Sequence, residues 1–464
     1  MIKPKLALIP SGYSDGKVFS VLPANGDGDF TFSRGSNATR VNKDGLIEAM
    51  PLEVSDTELV TNGGFDTDSD WTKGTGWSIS AGSARFNSAS TYAFFSQDLG
   101  AIVGNTYLIK LSCTVTSGDL NITLANDPNF RITTTGVYEF RLTPVGGGGS
   151  DTLVRIYTTI ASSNISIDNI SIKEITSGFD TPRLDYTDSS CPSLLLEPQR
   201  TNLVTYSEDF SNGYWIKTEA TVTLNTTTSP DGSLNASKLT PSTISSNHKI
   251  ASGNVSIVSS LTSYWFVKSN GYSKVSLRED AAVGKYASFD LSQGIVLDSS
   301  TSSKIEDYGN GWFRIELNDD LTNVTARNSL YVLPDSYISG SPNLVNWSAD
   351  GTSSIFIWGA QSEEGSYATS YIPTNGAAAT RLADECTDAG TSDTFNDSEG
   401  VLMAEISALA NDGTTRLISL SNGSDNNRLN FYYRSTANQI LVKSEINNGT
   451  PTDIVVDVSD ATSF

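Results

Sequence analysis

Aromatic rings and carboxylates are the side chains of this sequence that recur in places where they could do chemistry. There are seven tryptophans: Trp71, Trp77, Trp215, Trp265, Trp312, Trp347 and Trp358. An indole stacks on the apolar face of a sugar ring, and Asn, Asp or Gln take the hydroxyls, so a sugar-binding β-sandwich needs few other residues. Trp265 and Trp358 sit inside alternating strands and read as core. Trp71 and Trp215 hold matching positions in an internal repeat, which points to a shared structural role. Trp77 and Trp347 lie among Gly and Asn residues and are the candidate stacking platforms. For Trp77, the flanking Gly74 and Gly76 suggest a loop that exposes the ring while Trp71 stays inside.

The carboxylates suggest two further chemistries. Asp66-Thr67-Asp68-Ser69-Asp70 alternates oxygens like the start of an EF-hand loop, but Trp71 occupies the position that needs glycine and no helices flank it, so that motif is rejected. A looser calcium cage stays open. If the two ends of one sandwich meet, Asp66 or Asp68 could face Asp168; the alternative is solvated turn acids. Pairs such as Glu363-Glu364 and Asp319-Asp320 could serve a glycosidase only across a cleft of about 5–10 Å, which spacing in sequence does not place.

Other catalysis is mostly excluded. A single histidine, His248, removes histidine-based triads and histidine-rich metal centres. No GxSxG, P-loop or HExxH motif occurs. The Gly146–Gly149 run is not followed by a helix and reads as a hairpin or flexible loop. Cys113, Cys191 and Cys386 are far apart and share no metal-site spacing. The expectation is a protein that is not an enzyme.

Charge narrows the partners. Thirty Lys and Arg stand against 52 Asp and Glu, a net charge of −22 in 464 residues. Such a chain lacks the basic surface that nucleic acid or an anionic membrane requires. No apolar run approaches the ~18 residues that would span a bilayer, so no membrane insertion is expected. Pro10 and Asp15 interrupt the apolar start, a poor secretory signal.

The elements that must position these residues are strands. Tyr107–Val115, Asn164–Ile172, Tyr264–Lys268 and Ser354–Trp358 are β-branched or aromatic runs bounded by Gly, Asn, Asp and Ser turns. Helical periodicity is hard to find. Leu59-Val60-Thr61-Asn62-Gly63-Gly64-Phe65-Asp66 with Trp71-Thr72-Lys73 recurs, altered, as Leu203-Val204-Thr205-Tyr206-Ser207-Glu208-Asp209-Phe210 with Trp215-Ile216-Lys217. The repeat divides the chain into an attachment or connector segment (1–56), a first module (57–176), a connector (177–200), a second module (201–374), a further connector (375–395) and the opening of a third sandwich (396–464). This last part begins with a strand over Val401–Ile406. An Arg near a Thr recurs at the junctions, as Arg34 and Arg40, Arg183, and Arg381, and is expected to fork onto carbonyls or a carboxylate there. Segment 1–56 carries too little apolar content for its own core and is expected to order only against sister chains or another protein.

At these residues the sequence becomes familiar. The opening Asn62-Gly63-Gly64-Phe65-Asp66, then Trp71 and Trp77, and the closing Ile167-Asp168-Asn169-Ile170 strand resemble jelly-roll carbohydrate-binding modules of the family 4/9 type. That resemblance implies tandem antiparallel jelly-roll β-sandwiches in an all-β chain, and a structural calcium joining Asp66 and Asp168. A longer pattern resembles fibre, spike and tail proteins of tailed bacteriophage virions. It runs through Phe32-Ser33-Arg34-Gly35-Ser36-Asn37-Ala38-Thr39-Arg40, Pro182-Arg183-Leu184-Asp185-Tyr186, Leu196-Glu197-Pro198-Gln199-Arg200-Thr201-Asn202, Gly311-Trp312-Phe313-Arg314 and Trp358-Gly359-Ala360-Gln361. It implies a structural appendage on the virion exterior, assembled in the host cytoplasm, attached to capsid, portal or tail proteins, and holding host-surface glycan. A homotrimer is expected, because weak sugar sites gain from multivalency. The alternatives are a polysaccharide-degrading tail spike whose catalytic part lies outside this chain, and a bacterial surface adhesin.

Overall fold

The computed structural model describes residues 4–125, 130–144, 152–187, 189–281, 284–320, 322, 324–395, 399–412, 414–424, 426–436, 438–447, 451–459 and 461–462. The Gly146–Gly149 run therefore lies outside the described residues. Among the described residues all regular structure is β except one 3-10 turn, Pro342–Leu344. The strands form where side chains alternate: in Thr106–Ser117, Tyr107, Ile109, Leu111 and Cys113 are buried while Lys110 and Thr114 face out.

The first sandwich pairs two antiparallel sheets. One runs in the order Phe130–Ile132, Leu120–Leu124, Leu153–Tyr157, Phe95–Asp98, Thr72–Lys73. The other runs Gly136–Leu142, Thr106–Ser117, Ser163–Ser177, Ser83–Ser88, Trp77–Ser80. Between them lies a core that includes Phe65, Trp71, Phe86, Phe95, Ile109 and Ile156, with Trp71 stacked on Phe95 at 4.5 Å.

The second sandwich repeats this wiring. Ile216–Thr218, which follows Trp215, pairs with His248–Ala251, and then come Asn328–Leu333, Lys274–Glu279, Tyr286–Asp290 and Ile295–Ser299. Its opposing sheet runs Ala220–Thr227, Ala236–Pro241, Ser354–Glu364, Leu261–Asn270, Trp312–Asp319, Ser303–Asp307. In both sandwiches the strand after the repeat tryptophan is an edge, and the closing strand (Ser163–Ser177 or Ser354–Glu364) sits in the interior of the other sheet. Trp215 is buried edge-on against Trp265 at 5.0 Å, as the shared role of Trp71 and Trp215 requires.

The chain forms two compact units, Met1–Tyr214 with Thr228–Asn235 and Ser370–Ala389, and Trp215–Thr227 with Ala236–Thr369 and Gly390–Phe464. In the first unit the N-terminal segment does not wait for another molecule. Phe30–Ser33 pairs with Glu385–Thr387, and Glu53–Val54 pairs with Ser163–Ser177. Val18 and Phe32 are buried by this closure, which corrects the expectation that segment 1–56 orders only against sister chains. The short strands fold here because the chain's own connectors supply the missing apolar surface and hydrogen-bond partners.

The junction arginines converge in that unit. Arg183, fully buried, donates to Glu197 Oε2 (2.5 Å), the Ser370 hydroxyl (2.7 Å) and the Thr39 carbonyl (3.2 Å), and also pairs with Asp384. Arg381 reaches Glu197 Oε2 at 2.8 Å and the Pro198 carbonyl at 2.7 Å. Arg34 reaches Asp384 at 3.2 Å and the Thr181 carbonyl at 3.1 Å. Burial raises the Glu197 carboxyl, but Arg183 and Arg381 outweigh it and pull it down to about 2.

In the second unit, the strands Arg416–Ser421, Asn427–Tyr433, Gln439–Ile446 and Thr452–Asp457 pair in sequence order as one antiparallel sheet. The strand expected over Val401–Ile406 is not there. Val401 is 97% exposed and Met403 86%, and without a neighbouring ladder an apolar run does not hold an extended pairing.

Removing one partner from a buried ion network leaves uncompensated charge in a dry site. Arg183→Met is therefore expected to lower unfolding stability by about 3–5 kcal/mol in urea melts of the full chain. A loss below about 1 kcal/mol, the range of surface ion pairs, would show that the network does not hold the connectors together.

Candidate functional site

Trp77 is not a platform. It is 7% exposed, stacked on Phe95 at 4.9 Å and tilted against Phe86 at 5.2 Å, and its indole N–H donates to the Ala93 carbonyl at 2.8 Å. The glycines beside it act inward rather than outward. Gly76 adopts φ +94°, and a Cβ there would meet Ser88 Cβ at 2.5 Å, so its bareness lets neighbouring strands close over the ring. Trp347 is half-buried, with His248 and Tyr272 edge-on at 4.9 and 5.0 Å, and its indole nitrogen is buried without a hydrogen-bond partner.

The two ends of the first sandwich meet through backbone hydrogen bonds and the Glu58 carboxylate. The Ile170 N–H donates to the Gly63 carbonyl at 3.0 Å and the Leu59 N–H to the Ile172 carbonyl at 3.0 Å. Glu58 clasps them, accepting from the Val60 N–H (3.1 Å), the Ile172 N–H (2.8 Å) and the Ser171 hydroxyl (2.6 Å). Asp66 is exposed, and Asp168 accepts from the Asn169 N–H at 2.8 Å. Among the described residues no three His, Cys, Asp or Glu side chains are grouped to hold an ion. Calcium takes six to eight oxygens, so Asp66 and Asp168 alone do not complete a cage.

Sequence reasoning missed a surface on the same sandwich. In Leu153–Tyr157, Val154 and Ile156 point into the core, so Arg155 and Tyr157 point out. Tyr92 (59% exposed) lies roughly parallel to Tyr157 with centroids 5.7 Å apart, and Phe94 (43% exposed) meets Tyr157 edge-on at 5.3 Å. The Arg155 guanidinium sits 6.0 Å over Phe94. The signal was available: an aromatic at the outward position of an alternating strand is where a polar residue is expected.

This aromatic face is braced from beneath. Asp119, fully buried, accepts from the Thr159 N–H (2.8 Å), the Ile160 N–H (3.1 Å), Arg131 Nε (2.9 Å) and Asn121 Nδ2 (2.9 Å). Burial works against the Asp119 charge, but the bonds from Thr159 and Asn121 prevail and hold its carboxyl below the usual range. The loop after Tyr157 is thereby fixed, and its Thr158 carbonyl accepts the Tyr92 N–H at 2.9 Å. Tyr92 itself has φ +56°, a left-handed conformation that costs a bulky residue energy and persists where the surroundings impose it.

The equivalent sheet of the second sandwich carries a polar groove of about 600 Å³. Lys249 and Tyr331 are cross-strand partners at its floor, and Arg278, Asp280, Arg327 and Asn247 line it. Asp280 accepts from Lys249 Nζ (2.6 Å), Arg278 Nε (2.7 Å), the Ser329 hydroxyl (2.8 Å) and the Tyr331 hydroxyl (3.1 Å). Burial opposes its charge, yet Lys249 and the other donors hold its carboxyl below the ordinary value. Tyr331 is 1% exposed and offers no open ring.

On the opposite side of the same strand, Glu279 points into the sandwich. It is 1% exposed, and neither carboxylate oxygen has a hydrogen bond of ordinary geometry; the Ser263 hydroxyl, engaged with Ser362 at 2.7 Å, gives it partial relief. Burial, with Asp319 and Asp280 nearby, pushes its carboxyl up to about 7.

No family model and no curated protein sequence matches the chain. Among solved structures it weakly resembles the N-terminal CBM22-1-CBM22-2 tandem domain of Paenibacillus barcinonensis Xyn10C, at 12% identity over 66% of this chain and 97% of that one, with a TM-score of 0.25. A structure titled "CBM4 structure and function" aligns at 14% identity over 32% of this chain and 90% of that one, with a TM-score of 0.18. Momordica charantia 7S globulin aligns at 9% identity over 69% and 82%, with a TM-score of 0.10. At such scores function has to be argued from the chain's own side chains.

Two outcomes check these placements. Trp77→Ala should cost about 3–5 kcal/mol of stability, the cost of a buried aromatic, in a thermal or urea melt; a loss below about 1 kcal/mol would return the ring to the surface. Glu279 holds its proton more tightly folded than unfolded. Its contribution is thus fully present below the ordinary 4.5 and is lost as pH rises through about 7. Glu279 should account for up to about 3 kcal/mol of the fall across that window, alongside Glu208, which burial also pushes up to about 7, and Glu279→Gln should make the profile shallower. A pH profile that Glu279→Gln leaves unchanged would place the titration elsewhere.

Proposed function

We propose that this chain is a non-enzymatic, glycan-binding appendage protein of a tailed-phage virion, with jelly-roll sandwiches that attach the particle to host-surface sugar. The observation that carries the binding role is a braced aromatic trio on the first sandwich, exposed Tyr92 and Phe94 against half-buried Tyr157. Open rings held at fixed angles suit the apolar faces of successive sugar units, and Arg155 beside them can donate to hydroxyls. Trp347, partly exposed on the second sandwich, is an auxiliary contact in this reading. The virion role rests on the sequence resemblance that runs from Phe32–Arg40 through the connectors to Trp358–Gln361. With it come attachment to other virion proteins, a homotrimer, placement on the particle exterior and assembly in the host cytoplasm. Individually weak sugar sites fit a multivalent fibre.

Titrating the full chain with neutral oligosaccharides and with host-surface polysaccharide tests the site. Tyr157→Ala should weaken neutral-glycan binding about tenfold or more, equivalent to at least about 1.4 kcal/mol, with a cooperative melt retained. The affinity should hardly change with salt, because stacking involves no ion pair. Binding undiminished in both Tyr157→Ala and Tyr92→Ala would overturn the platform. Release of oligosaccharide products by the purified chain would overturn the non-enzymatic role.

A further inference from the structure

We propose that the groove on the second sandwich binds a carboxylate-bearing saccharide, so that one chain reads two classes of glycan. This rests on the glycan-binding reading above and adds a ligand class to it. The first observation is charge. In a chain of net charge −22, Lys249, Arg278 and Arg327 line one groove against the single carboxylate of Asp280. That carboxylate is already occupied by Lys249, Arg278, Ser329 and Tyr331. The local excess is positive, and a guanidinium presents paired N–H groups in the geometry a carboxylate takes.

The second observation is where the unused groups are. Arg327 is half-buried and held by one bond, from its Nε to Asn254 Oδ1 at 2.9 Å. That bond fixes the guanidinium plane, and its two terminal nitrogens have no partner among the described residues. Asn247 lines the same groove, and its Oδ1 is buried with no hydrogen-bond donor. An unpartnered buried acceptor costs free energy that a ligand donor can offset. The groove therefore asks for one molecule with an anionic group for Arg327 and a hydroxyl for Asn247. A hexuronate supplies both. A bare inorganic anion lacks the hydroxyl that donates to Asn247, and a neutral sugar lacks the charge. Since Tyr331 is covered, stacking does not contribute here, unlike on the first sandwich.

The experiment compares oligogalacturonate with its methyl ester, which keeps the sugar and removes the charge, by calorimetric titration into the full chain. The acid form should bind at least about tenfold more tightly, and that margin should shrink as salt rises from low to physiological strength. Arg327→Gln, which breaks a single surface bond and should leave the melt unchanged, should abolish the margin. Tyr157→Ala should preserve it. Equal binding of acid and ester, a margin that survives in Arg327→Gln, or no binding of either would each overturn the acidic-sugar assignment. A neutral β-glucan hexasaccharide whose binding depends on Tyr157 would then still stand for the broader reading. If that too fails to bind, both readings fall.

Discussion

The buried cluster of Arg34, Arg183 and Arg381 with Glu197 and Asp384 is the constraint on which the first unit depends. Three lengths of chain separated by well over a hundred residues each bring charges that cannot be left alone out of water. A buried ion is tolerable only with its partners in place, so the N-terminal segment and both connectors are specified together or not at all. Backbone groups are drawn into the same arrangement: the Glu197 N–H donates to Asp384 at 2.8 Å and the Ser370 N–H to Glu197 at 2.8 Å. The cluster explains why short strands such as Arg200–Asn202 and Ala379–Arg381, weak as isolated pairs, are held in register.

With its connectors held, the chain can build one sandwich design twice and vary only the outward positions of the strands. The inward positions answer to packing and are alike in kind: Trp71 with Phe95 in one core, Trp215 with Trp265 in the other. The outward sides of the corresponding sheets are freer to vary, although Tyr331 packs there with Leu333 and Tyr337. One presents Tyr157 beside the loop residues Tyr92 and Phe94; the other presents Lys249 and Arg278 beside Arg327, which lies between two strands. A sheet with period two separates these roles cleanly, because stability and surface chemistry fall on alternate residues. Glu279, between the groove residues Arg278 and Asp280, shows the exception, a carboxyl placed on the inward side and kept near neutrality by burial.

What the sequence by itself determined was the all-β class, the repeated opening with its matched tryptophans and the junction role of the arginines. These follow from period-two alternation, turn residues and residue types that have few stable environments. Only the tertiary structure decided which tryptophan faced out. Gly74 and Gly76 looked like loop formers around Trp77, yet bare glycine equally permits close approach, and the neighbouring strand Ser83–Ser88 used it to bury the ring. The join between Glu58, Ser171 and Ile172 was invisible for the same reason: an acid's partners a hundred residues away are set by sheet register, which composition does not encode. The aromatic face and the cationic groove arise from strand and loop residues far apart in sequence that become neighbours only when the sheets assemble, so neither leaves a contiguous motif for the sequence to display.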